Sequence, residues 1–189
     1  MAIEAARRDA DGRFLNSAGE LAFADPTVTL PFFARRLGAF FTGRGGHPET
    51  VANDGAFLRE NAHHSVPTVT WIGHATLLVQ MDHATFLTDP IWSDRASPVG
   101  FTGPKRAQAP GLALDDLPRI DFVLVSHNHY DHLDVETLSR LAKRDPHTLF
   151  VVPLENAVTL RDAGVSNVVE LHWGGSVEIA GLRVVCLPT

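Results

Sequence analysis

Three imidazoles and a carboxylate fall within six consecutive positions of the chain. His127, His129, Asp131 and His132 follow directly after the apolar run 122–125 (FVLV). Imidazole and carboxylate are the ligands that zinc and similar divalent ions favour. A strand that ends in such a cluster presents it at a sheet edge, so the sequence predicts a metal site there.

The spacing within this cluster could serve two ions. His127 and His129 are two residues apart and point the same way in extended chain, so they can converge on one ion. Asp131 and His132 are adjacent and diverge, so they can serve a second ion nearby. Two such ions would hold a bridging water and lower its pKa toward neutrality, which provides a nucleophile for hydrolysis of an ester, lactone or phosphodiester.

The alternative interpretation is a histidine-rich solvated turn that binds nothing. It is disfavoured, because such a cluster after a buried strand has little structural use. The cluster is nevertheless incomplete as a site. A catalytic zinc needs three protein ligands and an open position, and two ions need more ligands than four residues can give.

The elements that must position the cluster are those of a strand-rich α/β chain, with hairpins first and then alternating strands and helices. A hairpin turn is predicted at Asp82-His83, and a buried strand over 120–125 leads into the cluster. Asp134 is predicted to cap a helix over 135–143. The remaining predicted elements are strands over 68–72, 76–81, 85–88, 148–152 and 167–171, a helix over 155–163, and a final hairpin over 176–187.

Composition narrows the class of protein. The chain has 189 residues, 44% hydrophobic content and a formal charge of −6, so it is long enough for a buried core and offers no basic stripe for nucleic acid. Its single cysteine excludes an internal disulfide framework and suits a reducing compartment. The N-terminus has no signal-peptide core and no apolar run reaches the roughly 20 residues of a membrane span. We expect a cytoplasmic protein, with its oligomeric state undetermined.

Residues 1–65 differ from the rest and are predicted to be an N-terminal extension to a domain over 66–189. Within the extension, residues 28–41 (VTLPFFARRLGAFF) group apolar side chains around Arg35 and Arg36. A short helix after Pro31, with its apolar side packed on the protein body, is the favoured interpretation. The alternative is a peripheral membrane contact, since basic residues among Phe and Leu suit an interface.

Several separated blocks resemble the metallo-β-lactamase fold superfamily, in the branch containing N-acyl-phosphatidylethanolamine-hydrolysing phospholipase D and its bacterial relatives. The resemblance covers about 66–189 and is only loose before that. The blocks are 70–76 (TWIGHAT), 87–93 (LTDPIWS), Ser97-Pro98, 103–106 (GPKR) and 126–134 (SHNHYDHLD).

The resemblance implies an αββα sandwich with a two-metal site, usually zinc, at one sheet edge; another divalent metal is an alternative. His127 and His129 would bind the first ion, and Asp131 and His132 the second, with Asp131 also orienting the attacking water. Asp89 would support the site from the second shell, although from sequence alone it could equally cap the Asp-Pro turn. His74 is assigned the same supporting role rather than ligation.

The chain departs from the family pattern at its end. The family places a further ligand histidine, a bridging aspartate and a final histidine beyond the position where this sequence stops, at Thr189. We therefore expect only about the N-terminal half to two-thirds of the sandwich, with exposed strand edges, poor metal binding and weak catalysis.

The leading functional hypothesis is a zinc-dependent hydrolase of a phosphodiester, with a phospholipid or other small molecule as substrate. A lactone or other ester hydrolase is the alternative within the same fold. From another class, the chain could be a truncated, non-catalytic metal-binding remnant. Arg95, Lys105 and Arg106 could attract a phosphate, but an ordinary solvated loop is the favoured interpretation.

Overall fold

The structure is a computed structural model that describes residues 6–15, 25–42, 51 and 53–188. Parts of the predicted N-terminal extension over 1–65 lie outside the described residues. Contacts divide the chain into two compact units, one within residues 50–187 and one within residues 5–49. The boundary at residues 65 and 66 stays a prediction.

A six-stranded mixed sheet is the frame of the larger unit. Two hairpins form its first three strands, β1 (Thr68–Gly73), β2 (Thr76–Met81) and β3 (Ala84–Thr88). Three further strands complete the sheet, each parallel to the strand before it: β4 (Phe122–Leu124), β5 (Leu149–Pro153) and β6 (Val168–Leu171). The strand order follows the chain order, so each new strand joins the growing edge. A separate two-stranded sheet pairs β7 (Ser176–Ile179) with β8 (Leu182–Val185).

The turns use the residues that their geometry requires. Asp82 and His83 both have positive φ, 45° and 69°, and join β2 to β3 in the predicted two-residue hairpin. Ala180 and Gly181, with φ of 51° and 80°, join β7 to β8 in the same way. These turns set the register that sends alternate side chains to opposite faces of the sheet.

Helices cover one face of the main sheet. They are α2 (Ala56–Glu60), α3 (Val135–Arg144) and α4 (Ala157–Asp162). Leu138 and Leu141 of α3 are fully buried and share one hydrophobic core with strand residues such as Leu78 and Phe150. The predicted α/β class is confirmed, and α3 begins at the predicted cap, where the Asp134 side chain accepts from the Thr137 N–H.

The helix of the smaller unit differs from its prediction. Helix α1 (Pro26–Thr42) begins five residues before Pro31 and contains that proline. Four apolar side chains of α1 that the structure describes are exposed: Val28, Leu30, Phe32 and Phe33. The packing of its apolar side on the protein body stays a prediction. Among the described residues, no helix is long and apolar enough to cross a bilayer.

Candidate metal centre

Three segments bring candidate ligands to one edge of the sheet. Strands β3 and β4 are parallel, so Asp89 after β3 and the block 126–134 after β4 lie at the same edge of the sheet. Strand β2 is antiparallel to β3, so the β1–β2 turn that carries His74 lies at that edge as well. The topology therefore gathers residues that are up to 58 positions apart in the sequence.

Asp89 is a buried acceptor at the centre of this edge, with a residue exposure of 7%. Its Oδ1 accepts from the Ser126 N–H at 2.7 Å, and its Oδ2 accepts from the Ser126 hydroxyl at 2.7 Å. Oδ2 also lies 2.9 Å from His132 Nδ1. Because both carboxylate oxygens accept hydrogen bonds, Asp89 fixes the orientation of Ser126 and His132.

These contacts fix which ring nitrogen carries the proton. The Ser126 hydroxyl has one hydrogen, which it donates to the acceptor-only Asp89 carboxylate, so it must accept from His127 Nδ1–H at 2.9 Å. His132 likewise donates its Nδ1–H to Asp89. In their neutral forms, both imidazoles then have an unprotonated Nε2, the form that ligates a metal. By this test of donor chemistry, the residues present fit a divalent ion.

His127 and His129 form a converging pair. His127 Nε2 lies 3.0 Å from His129 Nδ1. Two nitrogens bound to one tetrahedral zinc would be about 3.4 Å apart, so a small adjustment suffices. Burial lowers the pKa of His127, and the nearby His132 and His129 lower it further. A lowered pKa keeps the imidazole neutral and its lone pair available near pH 7.

Asp131 and His132 form a second group together with His74. Asp131 Oδ2 lies 2.8 Å from His74 Nε2 and 3.6 Å from His132 Nε2. One ligand atom from each of the three residues lies within 4.8 Å of the others. Burial acts to raise the pKa of Asp131, but a backbone N–H, the hydrogen bond from His74 and the neighbouring imidazoles outweigh it and lower that pKa. The carboxylate is therefore ionised at neutral pH.

A second buried aspartate fastens the long loop that follows Asp89. Asp134 accepts from the backbone N–H groups of Trp92 (3.2 Å) and Ser93 (3.0 Å), and from the Ser93 hydroxyl at 2.8 Å. The guanidinium of Arg106 donates to the carbonyls of Ser93 (3.0 Å) and Ile91 (2.9 Å). Burial lowers the pKa of Arg106.

The basic residues of this loop are engaged within the loop itself. Arg95 donates to the Gly103 carbonyl at 2.6 Å, and Lys105 lies 4.0 Å from Asp94. The Arg95 bond and the two carbonyl bonds of Arg106 give both arginines a structural role, whereas the exposed Lys105 makes only a long ion pair. Hydrogen bonds from its own arginine side chains to backbone carbonyls therefore stabilise this loop.

Sequence reasoning did not single out Ser126 or Asp134 for these roles. Ser126 stands in a family block, but a serine before a histidine has no pattern that predicts a bond to a distant aspartate. Asp134 was predicted only as a helix cap. His74 was assigned to support, and the structure places its Nε2 among the candidate ligand atoms.

A mixed sheet whose carboxyl edge carries His-x-His-x-Asp-His defines a beta-lactamase-like domain. The family model described as the beta-lactamase superfamily domain matches residues 84–189, more than half of the chain. The chain belongs to this superfamily.

Its relatives include hydrolases. The chain is 35% identical over 183 residues to N-acyl-phosphatidylethanolamine-hydrolyzing phospholipase D 1 of Caenorhabditis elegans, an alignment that covers 78% of this chain and 51% of that protein. It is 36% identical over 120 residues to a metal-dependent hydrolase of Methanopyrus kandleri, covering 64% of this chain and 45% of the relative. The chain thus spans about half the length of these relatives.

A solved structure with similarity to the chain is CmlA, a diiron beta-hydroxylase from Streptomyces venezuelae. The two are 31% identical with a TM-score of 0.48, and the match covers 65% of this chain and 24% of that one.

Proposed function

We propose that this chain carries ligands of a two-metal hydrolase centre, in which zinc serves hydrolysis of a phosphodiester. The observation that carries the proposal is the commitment of His127 Nδ1–H and His132 Nδ1–H to Ser126 and Asp89, because it makes Nε2 the ligating nitrogen of both neutral rings.

The four candidate ligands would form two metal-binding positions. His127 and His129 would hold one ion, and Asp131 and His132 the other, while Asp89 keeps His132 in its ligating tautomer. When bound, the ions supply Lewis acidity and a water of lowered pKa. The ionised carboxylate of Asp131 would orient that water toward the substrate and accept its hydrogen bond.

The substrate class rests on similarity to the Caenorhabditis elegans phospholipase D, which the chain matches over 78% of its length. A lactone or other carboxylic ester is the second candidate substrate, because one fold and metal centre can serve hydrolysis of a carboxylic ester as well as of a phosphodiester. The third is a metal-binding role without catalysis.

Activity of zinc-reconstituted protein separates these three. An N-acyl-phosphatidylethanolamine, a chromogenic phosphodiester and a panel of lactones would be assayed with wild type and with His127→Ala. We expect phosphodiester turnover that the variant lacks. Preferential lactone turnover would contradict the phosphodiesterase proposal, and zinc binding without turnover of any substrate would favour the non-catalytic role. Elemental analysis of the purified protein identifies the metal.

We further propose that α1 contacts the surface of a phospholipid membrane. Phe32 and Phe33, exposed by 51% and 64%, come three and two positions before Arg35 on the same helix. Aromatic side chains that insert among headgroups, next to a cation that pairs with anionic lipid, are the elements of an interfacial helix. Such a contact would suit a phospholipid substrate.

A further inference from the structure

His74 lies in the two-residue turn between β1 and β2 and has a positive φ. Gly73 pairs with Thr76, so His74 and Ala75 alone form the turn. The φ of His74 is 52°, in the left-handed region where hairpin turns favour Gly, Asn or Asp. His83 in the next hairpin turn has a similar φ of 69°, so a role for the His74 side chain has to come from its contacts.

Neighbouring side chains hold this turn in place. The exposed indole of Trp71 donates to the His74 carbonyl at 2.9 Å. The Thr88 hydroxyl donates to the Ala75 carbonyl at 2.9 Å, which ties the turn to the end of β3. The Thr76 hydroxyl donates to the Asp89 carbonyl at 2.8 Å. The turn is thus fixed relative to Asp89 at the metal centre.

From this fixed turn, the imidazole reaches across the sheet edge to Asp131. His74 Nε2 lies 2.8 Å from Asp131 Oδ2, over a separation of 57 residues. An ionised carboxylate can only accept, so the imidazole is the donor. This hydrogen bond to Oδ2 restricts the rotation of the Asp131 carboxylate.

We propose that His74 is a positioning residue, which orients the Asp131 carboxylate for its metal ion by donating an Nε2–H hydrogen bond. The proposal rests on the proposed function, since it gives Asp131 a metal to bind. It gives the 70–76 block, through His74, a role at the candidate metal centre.

Zinc affinity tests the proposal with variants that separate its parts. His74→Ala removes the donor, whereas His74→Gln places an amide Nε2 donor at a similar reach. His83→Ala is the matched control, because His83 is an exposed histidine with φ of 69° in the next hairpin turn, at the opposite end of β2. Dissociation constants would come from competition with a chromophoric chelator, and zinc per chain at saturation from elemental analysis.

We expect His74→Ala to weaken zinc binding by about 10- to 100-fold at unchanged saturating stoichiometry, as removal of an outer-shell partner does. His74→Gln should recover most of the affinity, and His83→Ala should match wild type. Affinity unchanged in His74→Ala would overturn the proposal. A stoichiometry that falls in His74→Ala and is not restored by Gln would also overturn it, because His74 would then be a ligand itself.

The wild-type protein distinguishes this inference from the function it rests on. Absence of zinc binding by wild type would contradict both. Zinc binding by wild type that is lost in His127→Ala but unaltered in His74→Ala would leave the proposed function standing and reject the role of His74. Circular dichroism of each variant shows that the fold is retained.

Discussion

Asp89 and His132 are joined by a hydrogen bond of 2.9 Å between Oδ2 and Nδ1, although 43 residues separate them in the chain. The bond links the end of β3 to the cluster that follows β4. With Nδ1 of His132 facing Asp89, Nε2 of the same ring faces Asp131, whose Oδ2 is 3.6 Å away. An aspartate outside the cluster thereby decides which atom of the cluster can bind a metal.

Replacing Asp89 with Asn should weaken zinc binding by about 10- to 100-fold, because the new amide group faces the donor of His132 or that of Ser126. Competition titration measures the change. Asn tolerates positive φ, so the backbone at 39° is preserved. Asp82→Asn, at an exposed turn position with φ of 45°, is the control and should bind zinc as wild type does. Equal affinities for both variants would show that Asp89 does not orient His132.

Replacing His127 or His129 with Ala should reduce zinc affinity by at least about 100-fold, since loss of a ligand exceeds loss of its outer-shell partner. Elemental analysis after dialysis against a fixed free-zinc concentration measures the loss. His147→Ala is the control, because the side chain of His147 is exposed and far along the chain from the cluster. Unchanged metal content in both ligand variants would reject the assignment.

Replacing Asp134 with Ala should lower the free energy of unfolding by about 3 kcal/mol, because a helix cap is lost and the half-buried N–H and hydroxyl of Ser93 lose their acceptor. Urea denaturation measures the change. Asp134→Asn keeps an acceptor and should lose less. Asp162→Ala, an exposed residue at the end of α4, should change stability little. If Asp134→Ala lowered the free energy of unfolding as little as Asp162→Ala does, the hydrogen bonds from the loop to Asp134 would contribute nothing to stability.

Replacing Arg106 with Lys should loosen the loop over 93–110, because an ammonium group cannot reproduce the forked bonds to the Ser93 and Ile91 carbonyls. Limited proteolysis should cut this loop several-fold faster than in wild type. Lys105→Ala is the control, since Lys105 is exposed and only 4.0 Å from Asp94 at its closest. Equal cleavage rates in the two variants would contradict a structural role for Arg106.

Replacing both Phe32 and Phe33 with Glu should abolish binding to vesicles that contain anionic phospholipid, measured by sedimentation, because two charges would have to enter the interface. Phe57→Glu is the control, since Phe57 is 55% exposed but lies on α2. Retained vesicle binding in the double variant, or its loss in the control, would contradict a membrane contact through α1.

The α/β class, the hairpin turns and α3 could be predicted from the sequence because each depends on local rules. Asp82-His83 is a short polar pair between alternating strands, and Asp134 precedes an amphipathic run. The position of α1 could not be predicted in the same way. Pro31 suggested a helix start, but a proline is accommodated within α1, which begins at Pro26.

The sequence by itself determined the ligand types at 127–132, since the cluster is contiguous and needs no folding to be recognised. Only the tertiary structure decided how these ligands are prepared. Asp89, Ser126 and His74 come from three separate segments, and their donors and acceptors meet because parallel β3 and β4 end at the same edge as the β1–β2 turn. Hydrogen-bond partners across a sheet edge depend on strand order and register, which no local pattern in this sequence specifies.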